Sequence, residues 1–280
     1  MNGILLVNKP KGVTSRDVVD DICRFFGTPK VGHTGTLDPI ATGVLVITVG
    51  NATKLTEELV SNDKEYIAEV TLGIKTDTLD ITGSILEEKE FNISKSDIEN
   101  VFKSFPMLYN QEVPIYSAIK VKGKKLYQYA RNNEIVELPK REVRIDNLEL
   151  LDFNDNTFTF KVVVSKGTYI RSLIRDICDN LNVIGTMSNL TRTRQGNFKL
   201  EDCQDIDNLS RELIPIEEIL KDYFNVELTK DLEKKVLNGS LIDNLYDSEK
   251  VVFKKDNKVV AIYKIYEKDN TKMKPDKMFI

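Results

Sequence analysis

The chain lacks several features that mark whole classes of protein. Its three cysteines, Cys23, Cys178 and Cys203, lie far apart with no CxxC pair. That spacing argues against a zinc ribbon or a disulfide framework and leaves reduced cytosolic thiols as the expectation. The longest apolar runs are only of strand length, and no charged stretch leads into a long hydrophobic segment at the start. Neither a membrane span nor a signal peptide is expected, so the reading is a soluble, cytoplasmic protein. Basic charge is not in excess either: 40 Lys and Arg against 44 Asp and Glu give a net charge of −4, which counts against an indiscriminate nucleic-acid binder. No internal repeat or low-complexity linker stands out, and 280 residues suit one large domain with a small one.

What is present centres on one string, Gly32-His33-Thr34-Gly35-Thr36-Leu37-Asp38-Pro39-Ile40-Ala41-Thr42-Gly43-Val44-Leu45. Its three glycines permit tight turns, and Pro39 pushes Asp38 out of the helical region, so a carboxylate is displayed on a stiff loop. Residues 44–49 form a β-branched run that reads as a strand buried on both faces, entered directly from the loop. Gly32 to Gly35 matches the GxxG of a KH clamp, but that clamp joins two helices and this loop runs through Asp-Pro into a strand. A phosphate loop would end in Gly-Lys-Ser/Thr, which is absent. A metal-assisted phosphatase loop would carry a second aspartate two residues after Asp38, where Ile40 stands. A turn whose Asp caps a helix is the remaining bland reading of Asp38 alone.

Elsewhere, residues 4–7 read as a strand, and Ser15 reads as the cap of a helix whose apolar face is Val18, Val19, Ile22, Phe25 and Phe26, stopped by Gly27. Residues 51–55 begin a short helix. Tyr66, Ala68, Val70 and Leu72 share one face of a strand, and residues 73–83 read as a hairpin, since the Asp77/Asp80 spacing lacks the alternating ligands of an EF-hand. Ser94 with Asp97 suggests a capping box before a helix carrying Ile98, Val101, Phe102 and Phe105. Lys120, Lys122, Lys124, Lys125, Arg131, Lys140, Arg141 and Arg144 fall in one segment with Tyr116, Tyr127 and Tyr129, a mixture that suits phosphates and stacked bases. Strands at 143–151 and 158–164 precede a helix with Ile170, Leu173, Ile174, Ile177, Cys178 and Leu181 on its buried stripe. Arg171 in its first turn is a poor match to the helix dipole, so another partner should hold it. Residues 216–224 read as a last helix. Beyond it the chain turns into a Lys-rich, β-rich appendage, with Asp256-Asn257 as a hairpin turn.

The fourteen-residue string resembles the GHTGxLDPxATGxL signature of the TruB family of RNA pseudouridine synthases. Further segments are similar to that family. They are Lys9-Pro10 with its KPxGxTS pattern, Lys64-Glu65-Tyr66 with residues 73–83, the PxYSAxKxxGxxxYxxAR pattern at 114–131, Lys166-Gly167-Thr168-Tyr169-Ile170-Arg171, and the LxRxxxGxF pattern at 190–198. The resemblance implies that uridine 55 in the T-arm of tRNA is flipped out and isomerised. Asp38 would be the nucleophile, Tyr66 would stack on the base and take part in proton removal, and Arg171 would pair with and orient Asp38. It also implies that His33 fills the space the uridine leaves, that Tyr169 and Leu190 line the pocket, and that Lys9 and Lys54 belong to the substrate-binding set. No metal or organic cofactor is implied, and a monomer is expected.

The expected fold is α+β. A synthase domain at 1–224 would carry a mixed, largely antiparallel sheet, with an RNA-gripping insertion at about 106–144. Residues 225–280 would form a small β-rich, PUA-like RNA-binding domain. Three rival functions stand beside this one. A guide-RNA-dependent synthase would carry longer terminal extensions. A non-catalytic tRNA-binding or folding module has no need of Asp38, Tyr66 and Arg171 together. An aspartate-nucleophile hydrolase is disfavoured because no second carboxylate at glycosidase spacing accompanies Asp38.

Overall fold

The computed structural model describes residues 1–60 and 63–280. Its larger part is built on a sheet in the order Gln204–Asp205, Gly3–Lys9, Thr42–Val49, Gly185–Gln195, Lys64–Leu72, Thr157–Val164, Lys140–Asn154 and Leu108–Glu112. Only two neighbouring pairs along this path are parallel, Gly3–Lys9 with Gln204–Asp205 and Thr42–Val49 with Gly185–Gln195. The sheet is therefore mixed and largely antiparallel, as the resemblance implied.

Period-two alternation sets its packing. Tyr66, Ala68, Val70 and Leu72 on one strand and Phe158, Phe160, Val162 and Val164 on the next turn their side chains into one core. The helices Lys95–Ser104 and Ile170–Asn180 cover that face. Phe102 meets Phe158 and Phe160 edge-on at ring-centroid distances of 6.3 and 5.8 Å, the geometry aromatic quadrupoles prefer. Ser94 does form the capping box with Asp97.

The strand that follows the Asp38 loop is buried on both faces. Leu45, Ile47 and Val49 pack with Val18, Val19 and Ile22 of the helix Ser15–Phe26. Val44 and Val46 pack on the other side in a cluster that includes Val252, Val259, Ile262 and Phe279. One expectation is corrected here: the helix cap is Thr14, which forms a capping box with Asp17. The hydroxyl of Ser15 is taken instead by Leu37, whose N–H donates to it at 2.8 Å.

The C-terminal sheet has the order Phe224–Glu227, Lys250–Lys255, Lys258–Tyr266, Asp269–Met278 and Ile242–Asp243. Asp256 and Asn257 take φ of 51° and 62° between two of its strands, the left-handed pair a two-residue hairpin turn requires. The helix expected at 216–224 is only Ile216–Ile219. The amide of Asn225 donates to the carbonyls of Leu220, Lys221 and Tyr223, which draws those acceptors out of a helical ladder, and Phe224 starts a strand instead. A further helix, Lys230–Leu237, lies in the stretch read as β-rich.

Candidate active site

Asp38 sits where the loop before Thr42–Val49 is tied down from several sides. The Leu37 N–H and carbonyl both bond Ser15 Oγ, at 2.8 and 3.2 Å. The Pro39 carbonyl accepts from the Gly12 N–H at 2.7 Å, so the 9–13 turn and the Asp38 loop brace each other. Gly43 has φ of 101°, and a Cβ there would lie 2.3 Å from the Arg192 carbonyl oxygen. Glycine is demanded at that point both by backbone conformation and by the close approach of the neighbouring strand.

Arg171 reaches Asp38 from the first turn of Ile170–Asn180. Its Nε donates to Oδ2 at 2.9 Å and its Nη2 to Oδ1 at 3.2 Å, a fork that fixes the carboxylate plane as well as its position. The guanidinium is nearly buried, whereas one third of the Asp38 side chain stays exposed. Two carbonyls also accept from the guanidinium: Nη1 donates to Thr78 O at 2.8 Å and Nη2 to Tyr116 O at 3.0 Å. A second carboxylate, Asp80, has Oδ2 3.9 Å from Nε, and it is itself held by the Thr82 N–H at 3.0 Å and the Thr78 hydroxyl at 3.0 Å. The partner that the helix dipole could not supply is therefore a pair of carboxylates. A cleft of about 150 Å³ lined by Asp77, Thr78, Leu79 and Tyr116 adjoins this cluster.

Tyr66, Leu190, Leu37 and Ile40 belong to one buried cluster. Ala68, two residues after Tyr66, pairs with Leu190 across the strands. Tyr169 is the N-cap residue of its helix, and its N–H is received by Gln111 Oε1 at 2.8 Å. Burial raises the Tyr169 phenol pKa above its ordinary value, with Arg141 and Arg171 pulling the other way. Lys9 is fully buried, and its ammonium donates to Val13 O at 2.7 Å, Pro10 O at 2.8 Å and Pro39 O at 3.4 Å. Burial pushes its pKa down to about 8, against the attraction of Asp38. His33 opens the loop and accepts from the Gly35 N–H at 3.3 Å. Burial, with Arg192 and Arg16 nearby, lowers its pKa, which favours the neutral ring. Lys54 is placed differently: it donates to the Met278 carbonyl of the C-terminal sheet. Among the described residues, no cluster of three or more His, Cys, Asp or Glu is arranged to hold a metal ion, and no helix is long and apolar enough to cross a membrane.

Gln111 carries no signal in the sequence, and Ser15 reads there only as a helix cap. Asp80 reads in the sequence only as part of a hairpin, which does form between Ile74–Thr76 and Ile85–Glu88.

Residues 23–170 match the family model described as TruB family pseudouridylate synthase, N terminal domain. The tRNA pseudouridine synthase B of Caldanaerobacter subterraneus subsp. tengcongensis is 42% identical over 286 residues, which span 100% of this chain and 99% of that protein. The protein of the same name from Staphylococcus aureus strain MSSA476 is 40% identical over 302 residues, covering 99% of each. Among solved structures, a chain of a Cbf5-Nop10-Gar1 complex superposes with a TM-score of 0.72 at 25% identity, covering 99% of this chain and 85% of its own. A chain of an H/ACA RNP bound to a substrate RNA containing 2′-deoxyuridine gives 0.71 at 23% identity, covering 99% of this chain and 85% of its own, a likeness of fold.

Proposed function

Because this chain belongs to the TruB family of pseudouridine synthases, we propose that it isomerises uridine 55 in the T-arm of tRNA, with Asp38 as the nucleophile. Pseudouridine formation in tRNA is the activity its curated relatives are named for. The observation that carries the finer reading is the two-point fork from Arg171 to Asp38. A carboxylate gripped on one side by a planar cation, with part of its surface open, is oriented before substrate arrives and needs no reorganisation at the moment of attack. The N1 glycosidic bond breaks, the uracil turns within the pocket, and C5 bonds to the ribose. Asp38 serves this chemistry by attack at C1′, by attack at C6, or by removing a ribose proton, and none of these draws on an organic cofactor.

Tyr66 lies under the base as a stacking surface, and its hydroxyl is the group for proton removal at C5. Leu190 and Tyr169 form the pocket wall, and the His33 ring takes the space in the T-loop left by the flipped uridine. Flipping costs roughly a few kcal/mol, offset by stacking and phosphate contacts. The Lys- and Tyr-rich insertion at 106–144 supplies such contacts. Lys124 lies 4.7 Å from the Tyr129 ring centroid and Arg131 5.3 Å from that of Tyr127, so cations and π-faces already alternate there. Lys9 supports the loop from within, and Lys54 and residues 225–280, the PUA-like region, contribute to RNA binding at the other end.

The test is incubation of the purified protein with an unmodified tRNA transcript, without cofactor, followed by mapping of pseudouridine. Modification at position 55 that disappears with Asp38→Asn, while tRNA binding stays within about tenfold (on the order of 1.4 kcal/mol), is the expected result. Modification at another position refutes the site assignment, and substantial turnover by Asp38→Asn refutes the nucleophile.

A further inference from the structure

Arg192 is among the largest fully buried side chains of the protein, and among the described residues no carboxylate pairs with it; its hydrogen bonds go to backbone carbonyls. Its Nε donates to the Val44 carbonyl at 2.7 Å and its Nη2 to the Gly35 carbonyl at 3.0 Å. Those two carbonyls bracket residues 36–43, the segment that contains Asp38. The contact is close at each end. A Cβ on Gly35 would meet Nη1 at 3.4 Å, and one on Gly43 would meet the Arg192 backbone. Gln195, three residues on along the same strand, donates to the hydroxyl of Thr34 at 2.6 Å.

A buried cation without a counter-ion is costly, and a position that needed only filling would be more stable with a hydrocarbon side chain of similar volume. What a guanidinium offers instead is a rigid planar fork whose donors reach two acceptors at a fixed separation, which an ammonium cannot reproduce. From this geometry we infer that Arg192 is a positioning residue, a brace that sets the span between the two ends of the Asp38 loop and so presents the carboxylate to Arg171 and to substrate. It acts through the loop and touches neither. The inference rests on the reading of Asp38 as nucleophile.

The chain holds one histidine, and it provides an internal probe. His33 is lowered by burial, then by the charges of Arg192 and Arg16. Its ring resonances in a two-dimensional NMR titration therefore report, without overlap from another histidine, on the burial of the ring and the cationic charge around it. Lys9 and Lys64 also feel Arg192 and are kept unchanged in the variants.

The experiment compares Arg192→Lys and Arg192→Gln with wild type. It reads single-turnover rate at saturating enzyme, tRNA affinity, folding by circular dichroism and the His33 titration, with Asp38→Asn run alongside. Arg192→Lys is expected to fold, to bind tRNA within threefold of wild type and to turn over at least tenfold more slowly, with the His33 midpoint still depressed. Arg192→Gln is expected to be slower again, with the midpoint raised. The inference is overturned by a rate for Arg192→Lys within tenfold of wild type, by a loss of binding that matches the loss of rate, or by an unmoved His33 midpoint in Arg192→Gln. Failure of both variants to fold also overturns it, because the residue would then be a pillar of the core. Turnover by Asp38→Asn removes the nucleophile reading instead, a result separable from each of these.

Discussion

Replacing Arg171 by lysine keeps the positive charge and removes the fork. The wild-type guanidinium makes four hydrogen bonds, two to Asp38 and one each to Thr78 O and Tyr116 O. A single ammonium at the end of a shorter reach can satisfy the carboxylate or the two carbonyls but not both sets, so about two bonds are lost. Hydrogen bonds to charged groups contribute about 1.5–3 kcal/mol each. Part of this is recovered from water, because a third of the Asp38 side chain is exposed, leaving a deficit of about 3 kcal/mol. At about 1.4 kcal/mol per tenfold in rate, the single-turnover rate should fall by roughly two powers of ten. Global stability should fall by less, about 1–2 kcal/mol, since the buried charge keeps a partner. The assay is release of tritium from C5-labelled uridine in a tRNA transcript at saturating enzyme, with urea unfolding on the same preparations. A wild-type rate in a folded Arg171→Lys variant would show that the orientation of Asp38 by the fork contributes nothing to chemistry. A rate loss no larger than the stability loss would assign Arg171 to the fold alone.

Tyr66→Phe retains the ring face in its buried cluster and loses the hydroxyl, so tRNA binding should be unchanged while turnover slows, whereas Tyr66→Leu should weaken both. Equal rates for Tyr and Phe would leave stacking as the residue's only contribution. Lys9 has its pKa lowered to about 8 in the folded protein from 10.5, so between these values the unfolded chain binds more protons and stability gains with pH. The unfolding free energy of wild type relative to Lys9→Met should therefore rise from pH 7.5 to pH 10, and a flat or falling difference refutes the burial of a charged Lys9. Ile262→Ala empties a fully buried site in the cluster shared by the two sheets and should cost about 2–5 kcal/mol. Scanning calorimetry should show a single transition that shifts as a whole, and two transitions of which only one moves would mean that the sheets unfold independently.

Local chemistry made much of the fold legible. The capping box at Ser94, the Asp256-Asn257 turn, the two-faced burial of Thr42–Val49 and the helix stripe after Tyr169 each depend on residues a few positions apart, and each is present. The misses share the opposite property. Thr14 and Ser15 are adjacent hydroxyls with equal claims to the helix cap, and what decides between them is Leu37, 22 residues away. Asp80 comes within 3.9 Å of a guanidinium 91 residues further on, and nothing in the hairpin pattern of 73–83 announces that approach. Gln111 looks like an ordinary strand residue until its carbonyl oxygen is found receiving the helix N–H of Tyr169.

The same distinction explains why the candidate site was easier to find than the way it is held. Asp38 and the arginine that holds it come from motifs whose glycines and prolines leave a local trace in the sequence. The residues that hold them are ordinary polar side chains recruited by tertiary contact, among them Ser15 on Leu37, Lys9 on Pro39 and Gln195 on Thr34. The C-terminal sheet belongs to this second group. Read as a sequence it is a Lys-rich appendage, yet Val252, Val259, Ile262 and Phe279 share a core with Val44 and Val46, the residues that immediately follow the Asp38 loop. A strand covered on both faces cannot shift without disturbing one cover, because close-packed interiors transmit displacement. The rigidity that lets Asp38 meet Arg171 in a single orientation is therefore contributed in part by residues more than 200 positions downstream in the chain.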